Sequence, residues 1–248
     1  VSKWQKELDA ELMPNNVLRL SESGLISDKK GYDAGEWWVQ DYSSQLPVKC
    51  LTIGQDDEIL DLCAAPGGKT AQMLALGAKV HSIDLSDKRI IRFKENMRRL
   101  KFNPVIDNTD ILTYKTEKKW QKILLDVPCS STGTIRKNPD ILYCKNEKSV
   151  SNLVNLQTRL LEKSWSLLGK NGHLIYCNCS LEIEEGEMQI INFLKHHEDC
   201  QIDKISSNLI EDIQDSVTKE GWLRILPNVK KGVKNRDGFF IARLKKIS

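Results

Sequence analysis

Short apolar runs alternating with amphipathic stretches are the feature that most limits how this chain can fold. The runs lie at 58–62 (EILDL), 79–83, 105–108, 122–125 (KILL), 172–178 and 238–244. Between them, 68–76, 86–100, 148–168 and 184–196 read as helices, with Ser86 placed as an N-cap. Strands separated by helices pair through parallel βαβ crossovers, because hairpin turns are not available to them. The pattern predicts an α/β fold built on a mostly parallel, doubly wound sheet. Residues 1–52 break this rhythm and carry Trp37-Trp38-Val39-Gln40. They are expected to form a small N-terminal lobe packed on a domain spanning 53–248. No internal repeat or low-complexity tract interrupts the pattern.

Composition agrees with one good-sized α/β domain. A chain of 248 residues buries an adequate core without staples. Its 40% hydrophobic and 29% charged residues exclude disordered and collagen-like classes. No run approaches the ~18 apolar residues of a membrane helix, and no leader is evident. The expectation is a cytoplasmic protein with no membrane partner. The formal charge of +3 permits nucleic acid without demanding it. The chain begins with Val1, so a preceding native segment is expected.

The chain contains seven cysteines, an odd number, and none shows C-x-x-C spacing. This spacing supports neither a zinc ribbon nor a thioredoxin motif, and no metal is expected. Cys50, Cys63, Cys144, Cys177 and Cys200 are expected to be small buried hydrophobes with free thiols. Cys129 and Cys179 stand apart because of their neighbours.

The first run leads into Asp61-Leu62-Cys63-Ala64-Ala65-Pro66-Gly67-Gly68-Lys69-Thr70. In an open parallel sheet, ligands bind beyond the carboxyl ends of the strands. Small residues there let backbone approach a ligand closely, and the helix that follows offers free N–H groups. Two ligands compete for such a loop. Gly68-Lys69-Thr70 matches the end of a phosphate-binding P-loop, but the first glycine of that motif falls at Cys63. Leu125-Asp126 imitates a magnesium-holding Asp. The alternative is a nucleoside lacking phosphates, such as S-adenosylmethionine. Asp84 ends the second strand, 17 residues after Gly67, where it would take both ribose hydroxyls. Asp110 follows the third strand and would meet the adenine amino group. The missing glycine favours adenosylmethionine.

Asp126-Val127-Pro128-Cys129-Ser130 follows the fourth strand and Cys177-Asn178-Cys179-Ser180 the fifth, so two thiols are expected at one pocket mouth. A thiol suits one methylation in particular. C5 of cytosine is too weakly nucleophilic to accept a methyl group. Addition of a thiolate to C6 makes an enamine with electron density at C5, which splits one hard step into two. A carboxyl group near N3, here Asp126, would stabilise the adduct.

The chain resembles the RsmB/Sun-type family of RNA cytosine-C5 methyltransferases from about residue 35 to residue 244. The resemblance rests on Trp38-Val39-Gln40-Asp41, on LDLCAAPGGKT at 60–70, on DVPCSSTGTIRKNPD at 126–140, on YCNCSLEIEE at 176–185 and on Asp237-Gly238-Phe239-Phe240. It implies a Rossmann-like class I methyltransferase using S-adenosylmethionine, with small-subunit (16S) ribosomal RNA as the expected substrate and the chain a monomer. The same chemistry on tRNA is the alternative, and a P-loop NTPase is the rival from another class. The resemblance makes Cys179 the nucleophile and Cys129 the residue that assists release of methylated RNA. DNA C5 methyltransferases use the Cys129 position as nucleophile, so the reverse assignment stays open. Cofactor contacts map onto Cys63, Ala64, Ala65, Pro66, Gly67, Gly68, Lys69, Asp84, Asp110 and Asp126. The family usually has Thr where this chain has Asn178. It also typically carries an N-terminal domain related to the antitermination factor NusB, to which nothing here corresponds. RNA contacts are expected from Arg136-Lys137, from the basic residues between Lys88 and Lys101, and from Lys230, Lys231, Lys234 and Arg236. Acidic stretches such as 182–187 balance these, so the small net charge conceals local asymmetry.

Overall fold

The computed structural model describes residues 1–20, 24–227 and 236–247. The chain opens with helix α1 (Ser2–Glu7) and a hairpin of β1 (Ala10–Met13) and β2 (Val17–Leu20). Helix α2 (Tyr42–Cys50) follows, capped by Asp41, whose side chain accepts from Ser43 N at 2.9 Å. The alternating region then runs through β3 (Glu58–Leu62), α3 (Gly68–Ala75), β4 (Lys79–Asp84), α4 (Asp87–Arg99), β5 (Val105–Asn108) and β6 (Trp120–Asp126). Next come α5 (Ile141–Cys144), α6 (Glu147–Leu167), β7 (Leu168–Asn178) and α7 (Glu187–His196). Strands β8 (Cys200–Ile202), β9 (Leu223–Ile225) and β10 (Phe239–Lys246) complete it.

The main sheet has the order β5-β4-β3-β6-β7-β10-β8, with β9 also paired to β10. Strands β3 to β7 are mutually parallel, whereas β10 runs antiparallel to β7, β8 and β9. The order reverses between β3 and β6. Loops leaving these two strands diverge to opposite faces and open a crevice at their carboxyl ends.

Side-chain alternation explains why both faces are covered. Leu60, Leu62, Ile123, Leu125, Leu174 and Tyr176 point to one face, against Leu160 and Trp165 of α6 and Phe193 of α7. Ile59, Leu124, Ile175 and Cys177 point to the other, against Leu46 and Val48 of α2 and Met73 of α3. The period of two along each strand, with both faces apolar, is what a doubly wound sheet requires. Helix α4 closes the β4 side with Phe93 and Met97 packed on Ala64, Ala65 and Ala71.

The sheet rhythm predicted from the sequence is present, and its edges differ. Strand β7 starts at Leu168, four residues before the predicted start, because Leu168 already pairs with Trp120 across an irregularity that ends at Lys122. The Gly169-Lys170-Asn171-Gly172 composition, with Asn171 at φ 61°, disguises it as a turn. The Ser86 cap is in place, its side chain accepting from Arg89 N at 3.4 Å. Helix α6 begins with a reciprocal capping box between Asn146 and Ser149.

Candidate active site

The loop after β3 owes its path to backbone freedom at Gly67. Its φ is +99°, and a Cβ there would lie 2.8 Å from Met97 and 2.9 Å from Phe93 of α4. Only glycine fits both constraints. The loop is then held by side chains rather than by sheet pairing. Asp84 accepts from Ala65 N and Ser86 N, both at 3.0 Å. Asn96 donates to the Pro66 carbonyl at 3.0 Å, and the Arg89 guanidinium donates to the Ala65 carbonyl. Arg89 also lies 3.5 Å from Asp84 Oδ2, so Oδ1 is the oxygen with a second lone pair for a ligand.

Beside this loop lies a cavity of about 210 Å³, lined by Gln40, Asp61, Ala64, Gly68, Lys69 and Asp126 among others. Cys63, Ala65 and Pro66 also line it. Asp84 and Asp110 do not. They follow β4 and β5 along the same row of strand ends, and Asp110 turns one oxygen to Leu112 N at 2.9 Å. Val39, Gln40 and Ser44, from the segment before β3, supply the outer wall.

The cavity floor holds a residue the sequence reading did not single out. Asp61 is fully buried on β3, and burial pushes its carboxyl up to about 7. Thr70 donates to its Oδ2 at 2.5 Å, while Oδ1 is buried with no partner. An unpartnered buried acceptor, walled by alanines and glycines, fits a ligand bringing a cationic amino group. Next to it, Lys69 Nζ donates to Asp126 Oδ2 at 2.7 Å. Burial opposes the Lys69 charge, and Asp126 outweighs it, leaving the ammonium above its ordinary range. These contacts overturn the P-loop alternative. The lysine and the hydroxyl that would hold phosphate and metal are instead turned inward on Asp126 and Asp61.

Beyond Asp126 the two cysteine loops meet. Strands β6 and β7 are neighbours, with Asp126 opposite Cys177, and Val127 N donates to the Cys177 carbonyl at 3.1 Å. This places Cys129 Sγ 3.5 Å from Cys179 Sγ. Ser131 Oγ lies 3.5 Å from Cys179 Sγ and 3.9 Å from Cys129 Sγ. The hydrogen bond from Cys129 holds the Cys179 thiol below its usual range against the cost of burial, with Ser131 and Lys69 acting the same way. The same hydrogen bond, together with burial, holds Cys129 well above it. Their shared hydrogen bond thus sets the two thiols apart, Cys179 toward the thiolate and Cys129 toward the thiol.

The remaining cysteines divide differently from expectation. Cys50, Cys177 and Cys200 are buried and Cys63 is half-buried, but Cys144 is exposed. It ends the short surface helix α5, which buries none of its residues.

Close backbone packing sets the loop carrying Cys129 against Cys179. Gly133 N donates to the Cys179 carbonyl at 2.9 Å, and Gly238 N donates to the Gly133 carbonyl at 2.8 Å. A Cβ on Gly133 would lie 2.3 Å from the Gly238 oxygen and 2.7 Å from that of Cys179. Gly133→Ala therefore forces backbone apart. It is expected to cost about 2–3 kcal/mol in urea unfolding and to lower turnover by more than ~10-fold through displacement of Cys179. Asn178, where the resembling family usually has Thr, braces the other side. Its amide donates to the Glu185 carbonyl at 2.7 Å and accepts from Ser180 N at 3.0 Å.

The expected basic contacts are redistributed. Lys137 bridges Asp41 and Asp237 at 2.8 and 2.7 Å, and Arg136 lies 3.8 and 3.4 Å from the same two carboxylates. Their charge is met within the protein, where it joins α2, the Cys129 loop and the start of β10. Arg99 donates to the Tyr32 and Trp37 carbonyls at 2.6 and 3.0 Å. Lys88, Arg92, Lys94, Arg98 and Lys101 remain exposed along α4 and just past its end. Lys230, Lys231 and Lys234 lie outside the described residues.

Comparison with known proteins places this geometry in context. The profile of the 16S rRNA methyltransferase RsmB/F family matches residues 48–245. Ribosomal RNA small subunit methyltransferase B of Photorhabdus laumondii subsp. laumondii is 36% identical over 246 residues, covering 96% of this chain and 54% of that protein. Its counterpart in Yersinia pseudotuberculosis is 34% identical over 247 residues, covering 97% and 54%. This chain spans about half the length of the curated relatives it matches. Among solved structures, PH0851 superposes with a TM-score of 0.89 at 28% identity, covering 99% of this chain and 57% of that one. NSun6 from Pyrococcus horikoshii, solved with SFG, shares the fold with a TM-score of 0.77 at 24% identity, covering 94% and 60%.

Proposed function

The chain belongs to the RsmB/F family of 16S rRNA methyltransferases, and on that premise we propose that it methylates C5 of a cytosine in small-subunit ribosomal RNA. The observation that carries this reading is the pair of thiols 3.5 Å apart beside a cavity floored by a buried carboxylate with one oxygen unpartnered among the described residues. In this reading S-adenosylmethionine supplies the methyl group. Asp61 takes its amino group, Asp84 its ribose hydroxyls and Asp110 its adenine. The loop from Cys63 to Lys69 gives the close backbone wall. The protein acts as a cytoplasmic monomer, and no described helix is long and apolar enough to cross a membrane.

The residues divide the work as follows. Cys179, as thiolate, adds to C6 and forms the S–C6 bond, and the C5=C6 electron pair moves toward C5. Asp126 faces N3, and the Lys69 ammonium behind it supplies the proton that neutralises the ring as the adduct forms. C5 then accepts the methyl group. Cys129, which has the higher proton affinity of the two thiols, is deprotonated only late. The Cys129 proton goes to solvent and its thiolate takes the C5 proton. The C5=C6 bond re-forms as the S–C6 bond breaks, Cys179 leaves as thiolate, and the ring returns its borrowed proton to the Lys69 amine. The target base must leave any stack to reach these sulfurs, which favours loop or flipped nucleotides.

Equilibrium dialysis with tritiated adenosylmethionine and with ATP tests the cofactor, and 16S rRNA transcripts test methyl transfer. Binding of adenosylmethionine but not ATP, with label appearing as 5-methylcytosine, is the expected result. Tight ATP binding without adenosylmethionine binding sinks the reading.

A further inference from the structure

Glu185 is completely buried, yet none of its hydrogen-bond partners is a cation. It sits between the two cysteine loops. Its Oε1 and Oε2 accept from Ser130 N at 2.9 and 3.2 Å, and the Ser130 hydroxyl donates to Oε2. Gln157 of α6 donates to Oε1 at 2.8 Å and to the Pro128 carbonyl at 2.9 Å. The Glu185 carbonyl oxygen accepts from Tyr176 OH and from Asn178 Nδ2, each at 2.7 Å. The side chain therefore grips the residue after Cys129, and the main chain grips the residue before Cys179.

We propose that Glu185 is a positioning residue: through Ser130 and Asn178 it fixes the separation of Cys129 and Cys179 and so sets Cys179 apart as the more reactive thiol. This rests on the reading of the two thiols given above and adds the group that distinguishes them. Every contact asks the carboxylate only to accept, which suits an ionised group. Such a burial is costly unless the hydrogen bonds are complete, and here they hold two catalytic loops at once.

The charges around the pair are unevenly placed. Cys179 faces Lys69 of α3 and Asp126 of β6, and Lys69 favours its thiolate. Cys129 faces Glu185, whose charge adds to the hydrogen bond with Cys179 and to burial in keeping Cys129 protonated. Tyr176 and Cys177 of β7 lie behind the pair and both stay protonated, chiefly through burial. On the outer flank Arg224 of β9 donates to the Ser180 carbonyl at 2.7 Å and is neutralised by Glu187 of α7. Glu185 is thus the carboxylate on the Cys129 side, opposite the Lys69 ammonium on the other.

The test needs neither RNA nor methyl transfer. Iodoacetamide alkylation of the whole chain is followed across pH by peptide-resolved mass spectrometry. In the parent protein Cys179 is expected to react at least ~10-fold faster than Cys129 at neutral pH, with a midpoint below the ~8.5 of a free thiol. In Glu185→Gln that ratio is expected to fall at least ~5-fold, with the Cys179 midpoint moving up toward the free-thiol value. An amide offers one acceptor where Ser130 and Gln157 need two, and it carries no charge. A thermal melt and adenosylmethionine binding report folding. Where Glu185→Gln does not melt as the parent does, Ser130→Ala carries the test, because it keeps the carboxylate and removes one of its donors. Its expected effect is a fall in the ratio of ~2-fold or more. A folded variant with unchanged ratio and midpoint overturns the proposal. Absence of RNA methylation by the parent protein would sink the proposed function while leaving this readout intact.

Discussion

Cys179→Ala is expected to lose methyl transfer by ~10⁴-fold or more and to form no covalent adduct with RNA containing 5-fluorocytosine. Cys129→Ala is expected to do the opposite with ordinary RNA, accumulating a covalent protein–RNA species on a denaturing gel. The two sulfurs are 3.5 Å apart and chemically the same, so the difference must come from their surroundings. Cys179 shares a hydrogen bond with Cys129, has Ser131 at 3.5 Å and sees the Lys69 ammonium, and all three lower its pKa. Each favours a thiolate, and the thiolate is the form that adds to C6. In the proposed mechanism Cys129 stays protonated until a proton must be removed from C5. Without Cys129, Cys179 also loses its donor and becomes less acidic. The trapped species should therefore form several-fold more slowly than the parent adduct does on the fluorinated substrate, yet persist. Trapping by Cys179→Ala and not by Cys129→Ala would mean the roles are reversed.

The parts of this site that the sequence announced are those where chemistry and strand pattern coincide. Asp84, Asp110 and Asp126 each follow an apolar run, and each follows a parallel strand in the sheet. Cys129 and Cys179 sit three residues and one residue beyond the ends of the adjacent strands β6 and β7, which is why their meeting was legible. Less visible was anything depending on the third dimension alone. Asp61 occupies an ordinary position inside EILDL, and only the missing partner of its Oδ1 marks it. Glu185 belongs to an acidic stretch that reads only as a balance to the basic residues. It is buried between the two cysteine loops, and the helix expected from residue 184 starts only at Glu187, so helical periodicity does not place Glu185. Arg136 and Lys137 misled in the other direction, since their partners Asp41 and Asp237 are about a hundred residues away. The short strands β8 and β9, three residues each, carry too little alternation to register. They are strands because β10 offers them an edge.

Asp61→Asn is expected to make the cofactor-free protein more stable at pH 8 and to weaken adenosylmethionine binding by ~10- to 100-fold, the worth of a charge-assisted hydrogen bond. The stability effect follows from proton linkage. Burial raises the Asp61 carboxyl from its ordinary 3.8 to about 7, opposed by Thr70 and Lys69 and reinforced by Asp126 and Asp84. The folded protein therefore binds this proton more tightly than the unfolded chain does. Its contribution to stability is complete below about pH 4 and is lost as pH rises to about 7, a few kcal/mol in all. At pH 8 the folded protein carries a buried carboxylate with one oxygen unpartnered, and the amide removes that charge while still accepting from Thr70. The variant should show a flatter dependence of melting temperature on pH and a higher melting temperature than the parent at pH 8. In the proposed reading binding runs the other way, because there a ligand ammonium supplies the partner that Oδ1 lacks. In the parent, affinity should fall as pH drops below about 7 and Asp61 takes up its proton. In the variant that dependence should vanish. Calorimetric melts and titrations at pH 6 and 8 separate the two effects. Unchanged affinity in Asp61→Asn would show that the ligand's amino group lies elsewhere, and an unchanged melting temperature would show that Asp61 is already neutral at pH 8. A residue that destabilises the empty protein and is satisfied only by its ligand explains why a strand interior carries an acid at all.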